Sequence, residues 1–324
     1  MTATATCPLR NGAASPTPST AAAEFQLPEA GCLLCGTRFD RVVWRENGFE
    51  GRGTPCGLVY LEPRPREDDV QPHAELHGDG YYARNAAVRM DFVQRFAPGG
   101  RLLEVGCGAG YLLAEARRRG FEVAGVEPSA ECVEHVRRVY GIPVEQALVE
   151  DTRLPEGAWD VVFHVDLLSH FPDPVRALRA MAARVRPGGH VCFEVGILGG
   201  MSPRWYAMTG RLDFPEHRWL FSEASLRELL RRAGLEVVAV RRYGLLASVL
   251  LLGARRLAAP LLGRWVPRPT REARSIGEGA SPVARLYGWL QHVTRYTLGR
   301  WMPRVGPLTL LVAARPVGGG AARG

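Results

Sequence analysis

The stretch "RLLEVGCGAGYLL", Arg101 to Leu113, limits the fold more than any other part of the chain. An apolar run ends in three glycines at alternate positions, Gly106, Gly108 and Gly110, and a second apolar run begins at once. Glycine lets the backbone turn sharply and lets a ligand touch it, and a helix starting there offers unpaired N–H donors. Strand, glycine turn and helix in that order form the nucleotide-facing corner of an α/β sheet. The spacing narrows the ligand. The dinucleotide fingerprint is G-x-G-x-x-G, but Tyr111 stands where its last glycine would fall, and the Gly-Lys-Ser/Thr ending of a P-loop is missing. A closely spaced E-x-G-x-G-x-G, starting at Glu104, suits a ligand that is not a pyrophosphate.

The same alternation continues along the chain. "EVAGVE", "WDVVFHV", "HVCFEVG", "LEVVAVRRYG" and "GPLTLLVAARP" read as strands. Between them lie "YLLAEARRRG", "SAECVEHVRRVYG" with Ser129 as N-cap and Gly141 as C-cap, "DPVRALRAMAARVRPGG" stopped by its Pro-Gly-Gly, and "SEASLRELLRRAG" capped by Ser222. Ahead of the glycine turn, Val88, Phe92, Val93 and Phe96 recur at helical spacing. The pattern predicts an α/β fold, a doubly wound, mostly parallel sheet covered by helices on both faces. Glu127 ends the second strand, where an acid takes both hydroxyls of a ribose. Glu150 and Asp151 precede the next strand, where an acid reaches an adenine amino group.

Glycine turn, ribose acid, adenine acid and the "RPGG" junction together resemble the class I S-adenosylmethionine-dependent methyltransferases, over residues 80–243 plus the last strand at 306–316. The resemblance implies a seven-stranded Rossmann-like sheet. It implies that Glu104, Gly106, Gly108 and Gly110 line the methionine and ribose side of S-adenosylmethionine. Glu127 would hold the ribose, and Glu150 or Asp151 would meet the adenine. Tyr81 or Tyr82 would close over the cofactor, and His164 to His170 would face the transferred methyl. The expected activity is methyl transfer to a small-molecule acceptor, lipid-like or a secondary metabolite. A module that binds the cofactor without turnover is an alternative, as is an RNA methyltransferase. Few aromatics interleave with the basic residues outside 287–301, which argues against nucleic acid.

A general base with pKa near the working pH serves an oxygen or nitrogen acceptor. The candidates are His164, Asp166 and His170 in "FHVDLLSHFPDP" and His217 in "DFPEHRWLFS". Relatives often carry leucine-glutamate-histidine where this chain reads Leu168-Ser169-His170, so Ser169 removes an acid there. "HFPDP" is not the Asp/Asn-Pro-Pro-aromatic motif of base-amino methylation.

"CLLCG" followed by "TPCGLVYLEPRP" resembles a small zinc-binding module found ahead of some methyltransferase domains. Cys32 and Cys35 form one C-x-x-C knuckle, and Cys56 keeps half of a second, with Gly53 in its partner's place. Structural zinc takes four ligands, so the fourth would be His73, His77 or Cys7, or the ribbon is held by apolar packing without metal.

The organisation expected is a disordered tail at 1–28, a cysteine-containing appendage at 29–78 and a methyltransferase core at 79–244. A helical basic insert follows at 245–305, then the last strand at 306–316 and a tail at 317–324. All 41 basic side chains are arginines; residues 241–324 hold 14 of them against Glu272 and Glu278, a net +12 within a chain of net +8. The insert therefore reads as a helical lid over the domain or as a peripheral contact with anionic lipid. Seven cysteines with only one close pair suggest a reducing cytoplasm, and no apolar run reaches the ~18 residues of a membrane span. Acceptor identity and oligomeric state are open at this point.

Overall fold

The computed structural model describes residues 31–66, 81–209, 211–258, 282–303 and 306–317. They fall into two compact units, one of Met1–Gln71, Leu167–Arg179 and Gly196–Leu235, the other of Pro72–Asp166, Ala180–Val195 and Glu236–Gly324. The 1–28 tail and most of the 317–324 tail lie outside the described residues.

The first unit is built on a four-stranded sheet of β1 (Val42–Glu46), β2 (Phe49–Gly53), β3 (Val59–Glu62) and β9 (Trp219–Leu220), with antiparallel pairing throughout. Asn47 and Gly48 make the β1–β2 turn with φ of 50° and 84°. This is the Asn-Gly hairpin signature, whose two left-handed residues match the twist of the strands. Val59, Leu61, Tyr206, Leu212, Phe214 and Leu220 form its core. Helix α5 (Pro203–Thr209) and β9 have no counterpart in the sequence reading. Helix α6 (Glu223–Arg232) starts in a capping box between Ser222 and Ser225.

The second unit carries the seven-stranded sheet. Its strands are β4 (Gly100–Val105), β5 (Phe121–Val126), β6 (Val144–Glu145), β7 (Trp159–Val165), β8 (Val185–Ile197), β10 (Leu235–Gly244) and β11 (Leu308–Pro316), in the order β10-β11-β8-β7-β4-β5-β6. Pairs β4–β5, β4–β7, β5–β6 and β7–β8 are parallel. Leu102 to Val105 and Val161 to His164 are buried without alternation, as in a parallel sheet covered on both faces. Helices α1 (Tyr81–Val93), α2 (Tyr111–Arg118) and α3 (Ala130–Tyr140) follow the expected spans. Phe92 and Val93 are fully buried, with Val88 and Phe96 packed against their cluster. Ser129 accepts the Cys132 amide at 3.4 Å, and Gly141 closes α3 at φ 61°.

One helix ends earlier than its sequence suggests. Helix α4 (Pro174–Arg184) stops before the Pro-Gly-Gly, which lies within β8 instead. Register slips between Trp159 and Val161 as β7 meets β8. Gly188 sits at φ 81°, and a Cβ on Gly189 would lie 2.7 Å from the Asp160 carbonyl oxygen. The glycines thus let the strand bulge against its neighbour rather than only stopping a helix.

The insert folds as α7 (Leu246–Ala258), α8 (Pro282–His292), a π-helix over Val293–Leu298 and a single turn, α9 (Gly299–Trp301). Thr294 and Tyr296 are buried, whereas Leu286 and Thr297 are exposed. A wider turn rotates every later side chain relative to a 3.6-residue repeat.

Candidate active site

The strand order reverses on either side of β4, with β5 and β6 toward one edge and β7 and β8 toward the other. The crevice at the carboxyl ends of such strands is where open α/β sheets receive ligands. The glycine turn leaves β4 there, with φ of 66° at Gly106, 49° at Gly108 and 77° at Gly110. A Cβ on Gly110 would press to 2.8 Å from Val136 Cγ2, so the approach of α3 requires glycine. At Gly108 a Cβ would meet nothing within 4 Å. The space beside that backbone is open.

Two carboxylates frame the turn. Glu127, 8% exposed, accepts the Gly108 amide at 3.0 Å on Oε2 and the Ser129 amide at 2.9 Å on Oε1. Each oxygen keeps a second lone pair for a ligand hydroxyl. Glu104 is 4% exposed, and its Oε2 is buried without a hydrogen-bond partner. Burial pushes its carboxyl up to about 8 against the pull of Arg89. An unmade buried acceptor costs about 1–3 kcal/mol, which a cationic or hydroxyl donor would recover. An orphaned acid, an open glycine and a pinned acid fit the methionine and ribose ends of an adenosyl cofactor.

Of the two adenine candidates, Glu150 is half-buried and Asp151 is exposed. The turn carrying them is held by Glu145, which accepts the Thr152 hydroxyl and the Arg153 amide, the latter at 3.0 Å. Tyr82 stacks on Tyr111 with ring centres 6.1 Å apart. The side chain of Tyr81 lies outside the described residues.

The catalytic candidates separate. His164 is wholly buried in β7, stacked 4.8 Å from Phe193, with neither ring nitrogen hydrogen-bonded. Burial pushes its pKa down to about 3, so it is a neutral core residue and not a base. Asp166 has left-handed backbone, φ 50°, a conformation uncommon outside glycine that aspartate adopts more readily than most residues. Its amide donates to the Glu194 carbonyl at 2.8 Å, and its carboxylate lies 3.7 Å from Arg295.

In the first unit, the rings of His170 and His217 pack 4.8 Å apart. His217 Nδ1 lies 2.6 Å from the Leu212 carbonyl. A carbonyl only accepts, so Nδ1 carries the proton and Nε2 keeps the basic lone pair.

The cysteine segment brings Cys32 Sγ to 3.7 Å from Cys56 Sγ, and the Thr54 hydroxyl lies 2.9 Å from Cys56 Sγ. The contact with Cys56 and burial raise the Cys32 thiol well above its ordinary pKa. Among the described residues no group of three or more His, Cys, Asp and Glu is placed to hold a metal ion. A Cβ on Gly53 would lie 2.8 Å from Val43 Cγ1, so the missing knuckle position is closed by strand packing. Cys7, His73 and His77 lie outside the described residues.

The largest feature the sequence reading missed is a buried charge cluster. Arg89 of α1 grips Glu194 of β8 with Nε at 3.2 Å and Nη2 at 2.9 Å. Arg295 Nη2 reaches the same carboxylate at 3.0 Å, and the Tyr296 hydroxyl donates at 2.7 Å. Burial alone would raise the Glu194 carboxyl, but the charges of Arg89 and Arg295 and the bonds from Arg89 and Tyr296 hold it down at about 2. The only sequence signal was a lone acid inside the buried strand "VCFEVG".

Residues 80–240 match the family described as the methyltransferase domain. The ubiquinone biosynthesis O-methyltransferase of Alkalilimnicola ehrlichii is 37% identical over 117 residues, which are 33% of this chain and 47% of that protein. The enzyme of the same name from Ralstonia nicotianae is 35% identical over 115 residues, 33% of this chain and 48% of its own length. The chain thus spans about half the length of the curated relatives it matches. Among solved structures, the MccD protein superposes with a TM-score of 0.50 at 12% identity, over 71% of this chain and 97% of that one. At that identity the likeness is one of fold.

Proposed function

We propose that this chain, whose residues 80–240 match the methyltransferase-domain family, is a class I enzyme that transfers the methyl group of S-adenosylmethionine to a small-molecule acceptor. The observation that carries the reading is the pairing of Glu127 with the Gly108 amide beside the buried, unpartnered oxygen of Glu104. Glu127 would hold the ribose hydroxyls. Glu104, Gly106, Gly108 and Gly110 would line the methionine side, Glu150 the adenine edge, and Tyr82 the outer wall. When bound, the cofactor supplies an electrophilic methyl on a sulfonium, whose carbon–sulfur bond breaks as the acceptor's bond to carbon forms, leaving S-adenosylhomocysteine. The chain's own part is alignment and removal of the acceptor proton.

Of the acid–base candidates, His217 is the one we propose to test, on its own chemistry alone: Nδ1–H is committed to the Leu212 carbonyl, which leaves Nε2 as an acceptor. The relatives' shared name favours hydroxyl acceptors as the first to screen. Calorimetric titration with S-adenosylmethionine, S-adenosylhomocysteine and NAD tests the cofactor, with micromolar binding expected for the first two and none for NAD. Methyl transfer to hydroxylated small molecules tests the enzyme. Binding without turnover on any acceptor would leave a cofactor-binding module. His217→Ala is expected to lose turnover with unchanged affinity for S-adenosylhomocysteine.

We further propose that the insert at 245–305 meets an anionic lipid surface. One face is anchored: Thr294 and Tyr296 are buried, and Ser248 donates to Thr294 at 3.1 Å. The other exposes Leu286, Trp289, Leu298 and, at 82%, Trp301, beside exposed Arg285 and Arg300. Residues 282–303 contain no acid. Apolar side chains among unopposed arginines suit the headgroup region of an anionic leaflet. No described helix is long and apolar enough to cross a membrane. Arg264 and Arg268 lie outside the described residues, as do the side chains of Arg255 and Arg256. Co-sedimentation with phosphatidylglycerol vesicles, and its loss in a Trp289→Ser, Trp301→Ser variant, is expected. Equal partition onto neutral vesicles would refute the electrostatic part.

A further inference from the structure

The first unit contains a cavity of about 70 Å³ lined by Leu61, Arg64, Pro65, Pro172, Arg218 and Trp219. That is several times the room one water needs. Among the described residues that line it, two are cationic and none is acidic. Arg64 Nη2 donates to the Gly31 carbonyl at 3.0 Å, and its guanidinium lies 4.9 Å from the centre of the Trp219 ring. Arg64 Nη1 is buried and has no partner. Among the described residues no carboxylate pairs with Arg64. Burial and the neighbouring charge of Arg218 both disfavour its charged form.

The second arginine is held in place. Arg218, 7% exposed, donates from Nη1 to the Pro65 carbonyl at 2.6 Å and from Nη2 to the Arg66 carbonyl at 3.2 Å. Its own amide donates to the Ser169 carbonyl at 2.7 Å. Trp219 is fixed by its indole N–H, which donates to the Phe171 carbonyl at 2.9 Å. A planar fork with a spare donor, a second fixed positive charge and an apolar wall make a preorganised recess for a planar or tetrahedral oxyanion.

We propose that Arg64 and Arg218 form a binding site for a small oxyanion, a phosphate or a carboxylate group. The anion's oxygen accepts the Nη1–H of Arg64. The site stands on the first unit alone and does not depend on methyl transfer.

The test is calorimetric titration of the full chain, without cofactor, with inorganic phosphate and separately with benzoate, at ionic strength fixed with chloride. Saturable 1:1 binding is expected. Phosphate alone would assign a phosphate site, and benzoate alone would assign a carboxylate on an apolar body. Arg64→Lys keeps the charge but loses the fork, and should weaken binding tenfold or more with the melting temperature little changed. Should that variant not fold, Arg218→Lys is read the same way. No saturable binding of either anion by the unaltered chain would overturn the proposal, as would equal affinity in a folded Arg64→Lys.

Discussion

Glu127 accepts the Gly108 amide at 3.0 Å, tying the acid after β5 to the glycine turn after β4. The same carboxylate serves the turn and, as proposed, the ribose. Glu127→Ala is therefore expected to lose adenosyl-ligand affinity by about 100-fold or more, the scale of two hydrogen bonds to a charged group. The cost to stability should be smaller, about 1–3 kcal/mol, because two buried amides lose their acceptor. Calorimetry and thermal melting separate the two effects. Retained affinity would show that the ribose is held elsewhere.

Gly108 and Gly110 should respond differently to alanine. Gly110→Ala meets Val136 at 2.8 Å as well as a left-handed φ, and should destabilise by about 2–4 kcal/mol. Gly108→Ala faces open space, so only the backbone penalty of about 1–2 kcal/mol applies. Its methyl would nonetheless fill the recess. Melting temperature should fall more for Gly110→Ala, while a folded Gly108→Ala should fail to bind S-adenosylhomocysteine. If Gly108→Ala binds normally, the open space is not the ligand's.

Glu104 links binding to pH. Its carboxyl sits at about 8 in the free protein, so at neutral pH it is mostly protonated. A bound cation beside it would expel that proton. Binding should release a proton near pH 7 and weaken as pH falls below about 8, by up to about tenfold per unit while the site stays coupled. Calorimetry in buffers of different ionisation enthalpy reads the proton directly, and Glu104→Gln should abolish the release. For stability the sign is the reverse of a salt-bridged acid. The unfolded carboxyl ionises near 4.5 and the folded one near 8, so stability is lost as pH rises between them. Glu104→Gln should then unfold at higher temperature than the parent at pH 8, and with little difference at pH 4.

Glu194 behaves oppositely. Its folded carboxyl is held at about 2, so its contribution is complete above the ordinary carboxyl pKa and is lost as pH falls toward 2. Glu194→Gln leaves Arg89 and Arg295 uncompensated, a buried-pair rupture of about 3–5 kcal/mol. The acid-unfolding midpoint of the parent should lie below pH 4, and the variant should be destabilised at neutral pH. A variant as stable as the parent at pH 7 would show that the cluster does not hold the insert.

Much of this protein was legible in the chain. Alternating short apolar runs and amphipathic stretches carry the order of β4, α2, β5, α3 and β7, because strand and helix periodicities are local. Ser129, Gly141 and Ser222 mark helix ends by chemistry that acts within three or four residues. Glu104, the three glycines and Glu127 lie within one βαβ unit, so their meeting follows from connectivity.

What only tertiary structure decided involves residues far apart in sequence or determined by packing. Arg89 finds Glu194 across 105 positions, and Arg295 finds it across 101. No local pattern encodes such a pairing; it exists because a buried acid must be met by charge. β9 supplies two residues to a hairpin sheet more than 150 positions earlier, too short a strand to carry a period. Gly188 and Gly189 read as a helix stop, yet they serve the bulge where β8 crosses β7. His164 is one of four acid–base candidates by sequence, and burial makes it part of the core. Sequence determines which side chains are available and their local order, whereas burial and long-range charge decide which of them keep their chemistry.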